Sequence, residues 1–399
     1  MSKSPFLDFS TYALPLAETL EVKKHRRQLE IGIPKETCLE EKRIALSPEA
    51  VGLLVNEGHT VLIETGAGEG ARYSDRDYSE VGAQLVYSAE AVFKAPILLK
   101  VEPPSDEEIN WMQPRQLLIS ALQLKMRQKA YFEKLMAKKV TAISYEGLHD
   151  EDGLAPIVRS MSEIAGSTAV LVAAEYLSNT REGLGYLLGG VAGVPPTEVV
   201  IVGAGTVGTF AARTALGLGA RVKVFDRSLS RLRRLQEALH APLSTCILQP
   251  HLLAKALKHC EVAIGALRSE SGRTPCVVSA SMVENMKNGA VVVDVSIDQG
   301  GVFETSEPTN HSKPIFTRHG VIHYCVPNIP SRVSRTASFS LSNVLGPLLI
   351  EMGDLGGVDG VLQHKLGIRN GLYLYNGILT SRALGDYFEL PYTESDLFF

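Results

Sequence analysis

Short apolar runs of strand length alternate with stretches carrying helix start and stop signals from about residue 29 onward. Leu29-Glu30-Ile31-Gly32-Ile33-Pro34 predicts a strand ended by proline. Ser47 before Pro48 predicts a helix start, with serine as cap and proline at the first helical position, and Gly58 stops that helix. Residues 59–65 predict the next strand, followed by a glycine-rich turn over 66–70, with further strands over 97–101 and 117–122. A helix is predicted to follow Ser162, with Glu163 at its positive end, and to run to about Asn179. The glycine- and proline-rich stretch 185–196 reads as the entry loop to a second region. Strands alternating with helices of this length imply an α/β fold with a largely parallel sheet.

The sharpest local pattern begins at residue 198. A buried-type strand, Glu198-Val199-Val200-Ile201-Val202, runs directly into Gly203-Ala204-Gly205-Thr206-Val207-Gly208. A helix over 209–218, a strand over 221–225 and then Asp226 complete the order strand, glycine loop, helix, strand, acid. Gly203 permits the tight turn, Gly205 lets backbone approach a pyrophosphate, and Gly208 lets helix and sheet pack closely. Amides at the helix start then receive phosphates. Asp226 stands 23 residues after Gly203 and is placed to accept ribose hydroxyls. A carboxylate there repels a 2′-phosphate, which favours NAD over NADP; the neighbouring Arg227 pulls the other way. Strands over 262–266 and from 290 bring Ala266 and Asp298 to the same end of the sheet, while Asp294 lies deeper and reads as a loop anchor. The bland alternative is a glycine turn in a doubly wound fold that binds nothing.

Composition narrows the setting. The chain has 399 residues, enough for two domains, and 45% of them are apolar, which fits a globular protein. A net charge of −4 offers no footprint for nucleic acid. Five scattered cysteines, an odd number with no close pair, argue against a disulfide framework and fit a reducing cytoplasm. They and the histidines show no metal-ligand spacing. The N-terminus lacks a secretory layout, and no run reaches the roughly 18 apolar residues that read as a membrane span. Residues 1–27 look like an appendage, either a charged helix over 18–29 or a loose arm.

Several further motifs carry a resemblance. They are Gly32-Ile33-Pro34-Lys35-Glu36-Thr37, Glu41-Lys42-Arg43-Ile44-Ala45-Leu46, Glu64-Thr65-Gly66-Ala67-Gly68-Glu69-Gly70, Met161-Ser162-Glu163-Ile164-Ala165-Gly166, residues 294–301, and Tyr324-Cys325-Val326-Pro327-Asn328-Ile329-Pro330. With the nucleotide motif they make the chain similar, from about Leu29 to its end, to the alanine dehydrogenase family. That family shares its fold with the soluble nucleotide-binding part of proton-translocating transhydrogenases. The resemblance implies two Rossmann-like domains with a cleft between them. The substrate domain would be discontinuous, residues 28–160 plus 331–399, and the NAD-binding domain would span 161–330. It further implies a cytoplasmic homo-oligomer, commonly a hexamer, with no membrane partner. The implied reaction is reversible oxidative deamination of L-alanine to pyruvate and ammonia with NAD.

Site roles follow residue by residue. Arg43 matches the arginine that grips the substrate carboxylate through a bidentate contact. Asp298 matches the catalytic aspartate beside the substrate amine, and Asn328 an asparagine lining the nicotinamide and substrate region. Ser162 resembles a cofactor-contacting serine, and Lys100 matches the first of two alternating lysines. The second lysine, which contacts the substrate, is absent: the position reads Glu102 before Pro103-Pro104, or is deleted. Gln123 stands where a histidine is expected, and glutamine donates a hydrogen bond but shuttles no proton. Three readings stay open: Lys100 or Lys125 supplies the missing base; Glu102 binds the amino group of a different amino acid or amine; or the protein binds NAD without turnover.

Overall fold

The computed structural model describes residues 26–38, 40–123, 127–268 and 273–399. Lys125 and residues 1–25, most of the predicted appendage, lie outside the described residues.

The first of two sheets contains β1 (Glu30–Ile33), β2 (Thr60–Glu64), β3 (Gln84–Val86), β4 (Ile97–Leu99), β5 (Leu117–Ser120) and β6 (Thr141–Ser144). The second contains β7 (Glu198–Val202), β8 (Arg221–Asp226), β9 (Ser244–Ile247), β10 (Val262–Gly265), β11 (Val291–Asp294), β12 (Ile315–Arg318) and β13 (Val321–Tyr324). After them β14 (Leu372–Tyr375) and β15 (Ile378–Leu379) return to the first sheet, whose order is β15-β14-β6-β5-β4-β1-β2-β3. The second sheet runs β12-β13-β11-β10-β7-β8-β9. The parallel strands of each therefore follow the doubly wound order, with the winding reversing between β1 and β4 and again between β7 and β10. Clefts at the carboxyl ends beside such reversals are where ligands bind in this architecture.

Parallel pairing dominates both sheets, as the alternation predicts, but each is finished at one edge by an antiparallel hairpin. Their turns, His319-Gly320 (φ 52° and 73°) and Asn376-Gly377 (φ 49° and 83°), put both central residues in the left-handed region that tight hairpins require. Interior strands such as β10 and β11 are buried along their whole length, because helices cover both faces.

Two helices of 21 residues each, Pro156–Tyr176 and Ser334–Asp354, pack on one another and carry the chain between the sheets. The first begins earlier than predicted. Pro156 supplies the first-turn signal, so Ser162 lies well inside the helix, its hydroxyl donating to the Val158 carbonyl at 2.7 Å. Glu163 consequently pairs with Arg159 one turn back at 3.1 Å and does not cap a helix start. Ile157 and Met161 pack with the first core, whereas Ala165, Ala169, Val172 and Tyr176 belong to the second. Gly166 lies so close to the Val207 carbonyl that any Cβ would collide with it. This is the one described helix long and apolar enough to cross a bilayer, and here it is that packing element.

Residues 40–47 pack on the first core without a strand partner, and serine hydroxyls at the start of the second long helix and just before it satisfy its amides. Ser331 accepts the Lys42 amide at 2.9 Å and donates to the Glu40 carbonyl at 2.8 Å. Ser338 accepts the Ile44 amide at 2.9 Å, and Ser342 accepts the Ser47 amide at 2.7 Å. Removing one acceptor strands a buried N–H, which costs about 1–3 kcal/mol. Ser338→Ala is therefore expected to lower urea-unfolding stability by that amount, while the exposed Ser230→Ala leaves it within error. Equal stability of the two variants would contradict the stitching role.

Candidate active site

Arg43 is the centre of the first half-site. Its Nε and Nη2 donate to the two oxygens of Glu41 at 2.8 and 2.5 Å, a side-on fork, and its own amide donates to Glu41 Oε1 at 2.8 Å. Nη2 also reaches Glu102 Oε1 at 3.5 Å. Among the described residues Nη1 meets only the Met161 thioether, at 3.6 Å, a weak acceptor. The end-on edge of the guanidinium is thus the one left for an external carboxylate. Burial alone would disfavour the Arg43 charge, but Glu41 outweighs it and holds the guanidinium protonated. Conversely, burial pushes the Glu41 carboxyl up, and Arg43 more than offsets this, holding it well below the usual carboxylate range. Asn328, in a left-handed conformation at φ 57°, donates through Nδ2 to Glu41 Oε2 at 2.7 Å.

Glu102 and Gln123 meet at the same place. Gln123 Nε2 donates to Glu102 Oε2, and Arg127 Nη2 steadies Gln123 Oε1 from behind at 3.3 Å. Gln123 is itself at φ 46°, held there by Glu146, which accepts the amides of Leu122 and Gln123 at 2.8 and 3.3 Å. Burial, and then Glu41 behind it, push the Glu102 carboxyl up to about 7. Both residues follow the carboxyl ends of β4 and β5, beside the first winding reversal.

Lys100 goes elsewhere. Strand β4 ends at Leu99, and the Lys100 ammonium is buried between Glu108 at 3.0 Å and Glu36 at 3.3 Å. The base that Lys100 was expected to supply in the cleft is therefore not offered there, because the two carboxylates draw the ammonium away from Glu102. Glu36 in turn accepts the amides of Val101 and Glu102 at 2.6 and 3.3 Å, so the pair fixes the backbone under Glu102.

The second half-site sits at the other reversal. Gly203, after β7, has φ 123°, and a Cβ there would collide with the Ala266 carbonyl after β10. The following helix, Thr206–Gly217, starts three residues sooner than predicted, so Thr206, Val207 and Gly208 form its first turn. Among the described residues no side chain caps the helix start, and a Cβ on Gly205 would meet nothing within 4 Å, which leaves room for a phosphate there. Asp226 is buried at the end of β8, where its oxygens accept the amides of Ala204 and Ser228, each at 2.7 Å. Those bonds aim the carboxylate over the glycine loop. These residues fit a dinucleotide.

Asp298 lies in a short turn just beyond β11, Ile297–Gln299. It is open to solvent yet hemmed in by protein, and that confinement pushes its carboxyl up to about 6 against the pull of Arg43, whose charge acts on it across the cleft. Asp294 anchors this loop, accepting from the amides of Ser296 at 3.1 Å and Val302 at 2.8 Å and from the Ser306 hydroxyl at 2.7 Å. Thus Arg43, Glu102, Gln123 and Asn328 converge through hydrogen bonds, and Asp298 through its field. Ser162 sits next to Met161, and Lys100 is turned away. Sequence reasoning missed Glu36, Glu41 and Met161 as working parts, although all three lie inside the recognised motifs. The alternation of Glu41 with Arg43 was their one visible signal.

The chain is similar to known proteins over nearly its whole length. Residues 32–165 match the model for the alanine dehydrogenase/PNT N-terminal domain, and residues 169–382 match that for the C-terminal domain. The chain is 39% identical over 369 residues to the alanine dehydrogenase of Mycolicibacterium smegmatis, covering 92% of this chain and 99% of that one. It is 38% identical to the alanine dehydrogenase of Staphylococcus epidermidis, over 92% and 98% of the two chains. A solved L-alanine dehydrogenase superposes with a TM-score of 0.86 at 39% identity, over 90% and 99% of the two chains. A transhydrogenase from Sinorhizobium meliloti shares the fold, with a TM-score of 0.76 at 24% identity over 89% and 99%.

Two outcomes are expected of this site. Gly203→Ala should weaken NADH binding, followed by quenching of protein fluorescence, by at least about tenfold, because the loop must shift away from Ala266. Unchanged affinity would contradict the fit. Lys100→Met leaves Glu36 and Glu108 buried without their cation, a loss of about 3–5 kcal/mol in denaturant unfolding. A variant as stable as the parent would show that the pair is not structural.

Proposed function

The chain belongs to the alanine dehydrogenase/PNT family and is an NAD-dependent oxidoreductase; from that premise we propose that it interconverts L-alanine with pyruvate and ammonia. The observation that carries the reading is Arg43, buried and charged, whose end-on edge holds only a weak thioether contact at Nη1 and a long 3.5 Å contact to Glu102 at Nη2, with Asp298 within reach of its field. We assign residues 28–160 and 331–399 to the substrate half and 161–330 to the cofactor half.

Arg43 binds the substrate carboxylate through Nη1 and Nη2, and Glu41 keeps the guanidinium from rotating. Gly203, Gly205, Thr206, Val207, Gly208, Asp226 and Ala266 would hold NAD, with Ser162 contributing from the long helix; when bound, NAD accepts a hydride from the alanine Cα. Asp298 takes the proton from the substrate ammonium, water adds to the imine carbon left by hydride loss and ammonia departs as the carbonyl forms; in the reverse direction Asp298 returns the proton to the alanine amine. A carboxyl pushed up to about 6 is matched to that task near neutrality. Asn328, oriented by Glu41, and Gln123, oriented by Glu102, line the substrate. The proton work expected of the missing lysine and histidine falls to Asp298.

A homo-oligomer in the cytoplasm is the setting we propose. Tyr186, Leu187 and Leu218 are exposed on one groove of about 440 Å³, an apolar surface suited to another copy. Free cysteines fit a reducing compartment.

The purified chain should oxidise NADH only when pyruvate and ammonium are both present. Arg43→Lys should raise the KM for pyruvate by about tenfold or more, since a lysine cannot form the fork. Turnover confined to another 2-oxo acid or amine, or NADH binding with no turnover, would contradict the proposal.

A further inference from the structure

The reading of Arg43 as the carboxylate anchor has a consequence for Glu102. Glu41 occupies the side-on fork, so an incoming carboxylate takes the end-on edge. Glu102 Oε1 already lies 3.5 Å from Nη2, one tine of that edge. Its other oxygen is pinned by Gln123, whose own carbonyl oxygen is held by Arg127, and its amide is bound to Glu36. Glu102 is buried and tethered on both sides, and a bound anion would press directly against it. At this position the family resemblance calls for a substrate-contacting lysine, so the local charge is reversed.

We propose that Glu102 is a substrate-binding residue that couples anion binding to a proton: it competes with substrate carboxylates for the end-on edge of Arg43, and a 2-oxo acid binds only together with a proton on Glu102. The proton comes from solvent and converts the Glu102 carboxylate to the acid. The O–H then donates to the substrate carboxylate where an ionised oxygen would repel it. This inference rests on the alanine dehydrogenase reading, because it needs Arg43 to be the carboxylate site.

The surroundings support a proton there. Arg43 and Glu41 face Glu102 from the segment 40–47, Glu36 and Cys38 from the loop after β1, and Tyr145 from the turn after β6. Arg127 stands behind Gln123, and Asp298 lies across Arg43. Lys100 is taken up by Glu36 and Glu108, so burial and then Glu41 outweigh Arg43 and push the Glu102 acid up toward neutrality. Pyruvate itself has no titration between pH 6.5 and 8.5, so a change of its affinity in that window reports the protein.

The test uses the full chain loaded with NADH. For the parent, KM for pyruvate should rise roughly tenfold per pH unit above the Glu102 titration, with kcat changing much less. In Glu102→Gln, KM should stay flat within about twofold. Calorimetry with oxamate, a non-reducible 2-oxo-acid analogue, in buffers of different ionisation enthalpy gives a second readout that needs no turnover. At pH 8 the parent should take up close to one proton per oxamate bound, and Glu102→Gln should take up none. Oxamate binding at pH 8 without proton uptake, or uptake that persists in Glu102→Gln, overturns the Glu102 proposal alone. Failure of oxamate to bind at both pH 6 and pH 8 overturns it together with the carboxylate role of Arg43.

Discussion

A guanidinium cannot be buried without a partner, and the cleft is arranged around that constraint at Arg43. Desolvating an isolated charge costs far more than a domain's net stability, so Glu41 must accompany it with matched geometry. Glu41 is two residues away on the same segment, and its orientation is shared with Asn328 from the far side of the cleft. The segment itself is held by serine hydroxyls at 331, 338 and 342, because it has no sheet ladder to satisfy its amides. The setting of Arg43 and the Asn328–Glu41 contact between the two halves therefore depend on one cluster of polar contacts.

The two sheets explain why that cluster faces a nucleotide loop. Each follows the same doubly wound order, and each delivers its candidate site residues from carboxyl ends near the winding reversal. From the first come Glu36, Glu102 and Gln123; from the second come Gly203, Ala266 and Asp298. The two long helices pack together between the halves, and Met161 on one of them touches Arg43. Sheet reversal supplies the placement, and helix packing sets the two placements against each other.

Much of this was legible in the sequence, for reasons visible in particular residues. The strand before Gly203, the glycine spacing and Asp226 are local, and local geometry decides them. The Ser47-Pro48 helix start appears where the cap pattern puts it, with Ser47 accepting the Ala50 amide. What was not legible depends on distance. Nothing local says that the Lys100 ammonium turns to Glu36 and Glu108, or that Glu41 takes the fork of Arg43 that a substrate was expected to fill. The helix around Ser162 was misplaced because a serine followed by an acid resembles a cap, while the true start lay at Pro156. The hairpins closing both sheets were missed although His319-Gly320 and Asn376-Gly377 carry the turn chemistry that makes them.

The most direct measurement of the central claim is a crystal structure of the protein with NADH and oxamate bound. The account predicts the oxamate carboxylate on the Nη1/Nη2 edge of Arg43, with Glu41 still on the side-on fork and Asp298 at the opposite end of the ligand. A carboxylate seated away from Arg43, with Asp298 remote from the ligand, would contradict it.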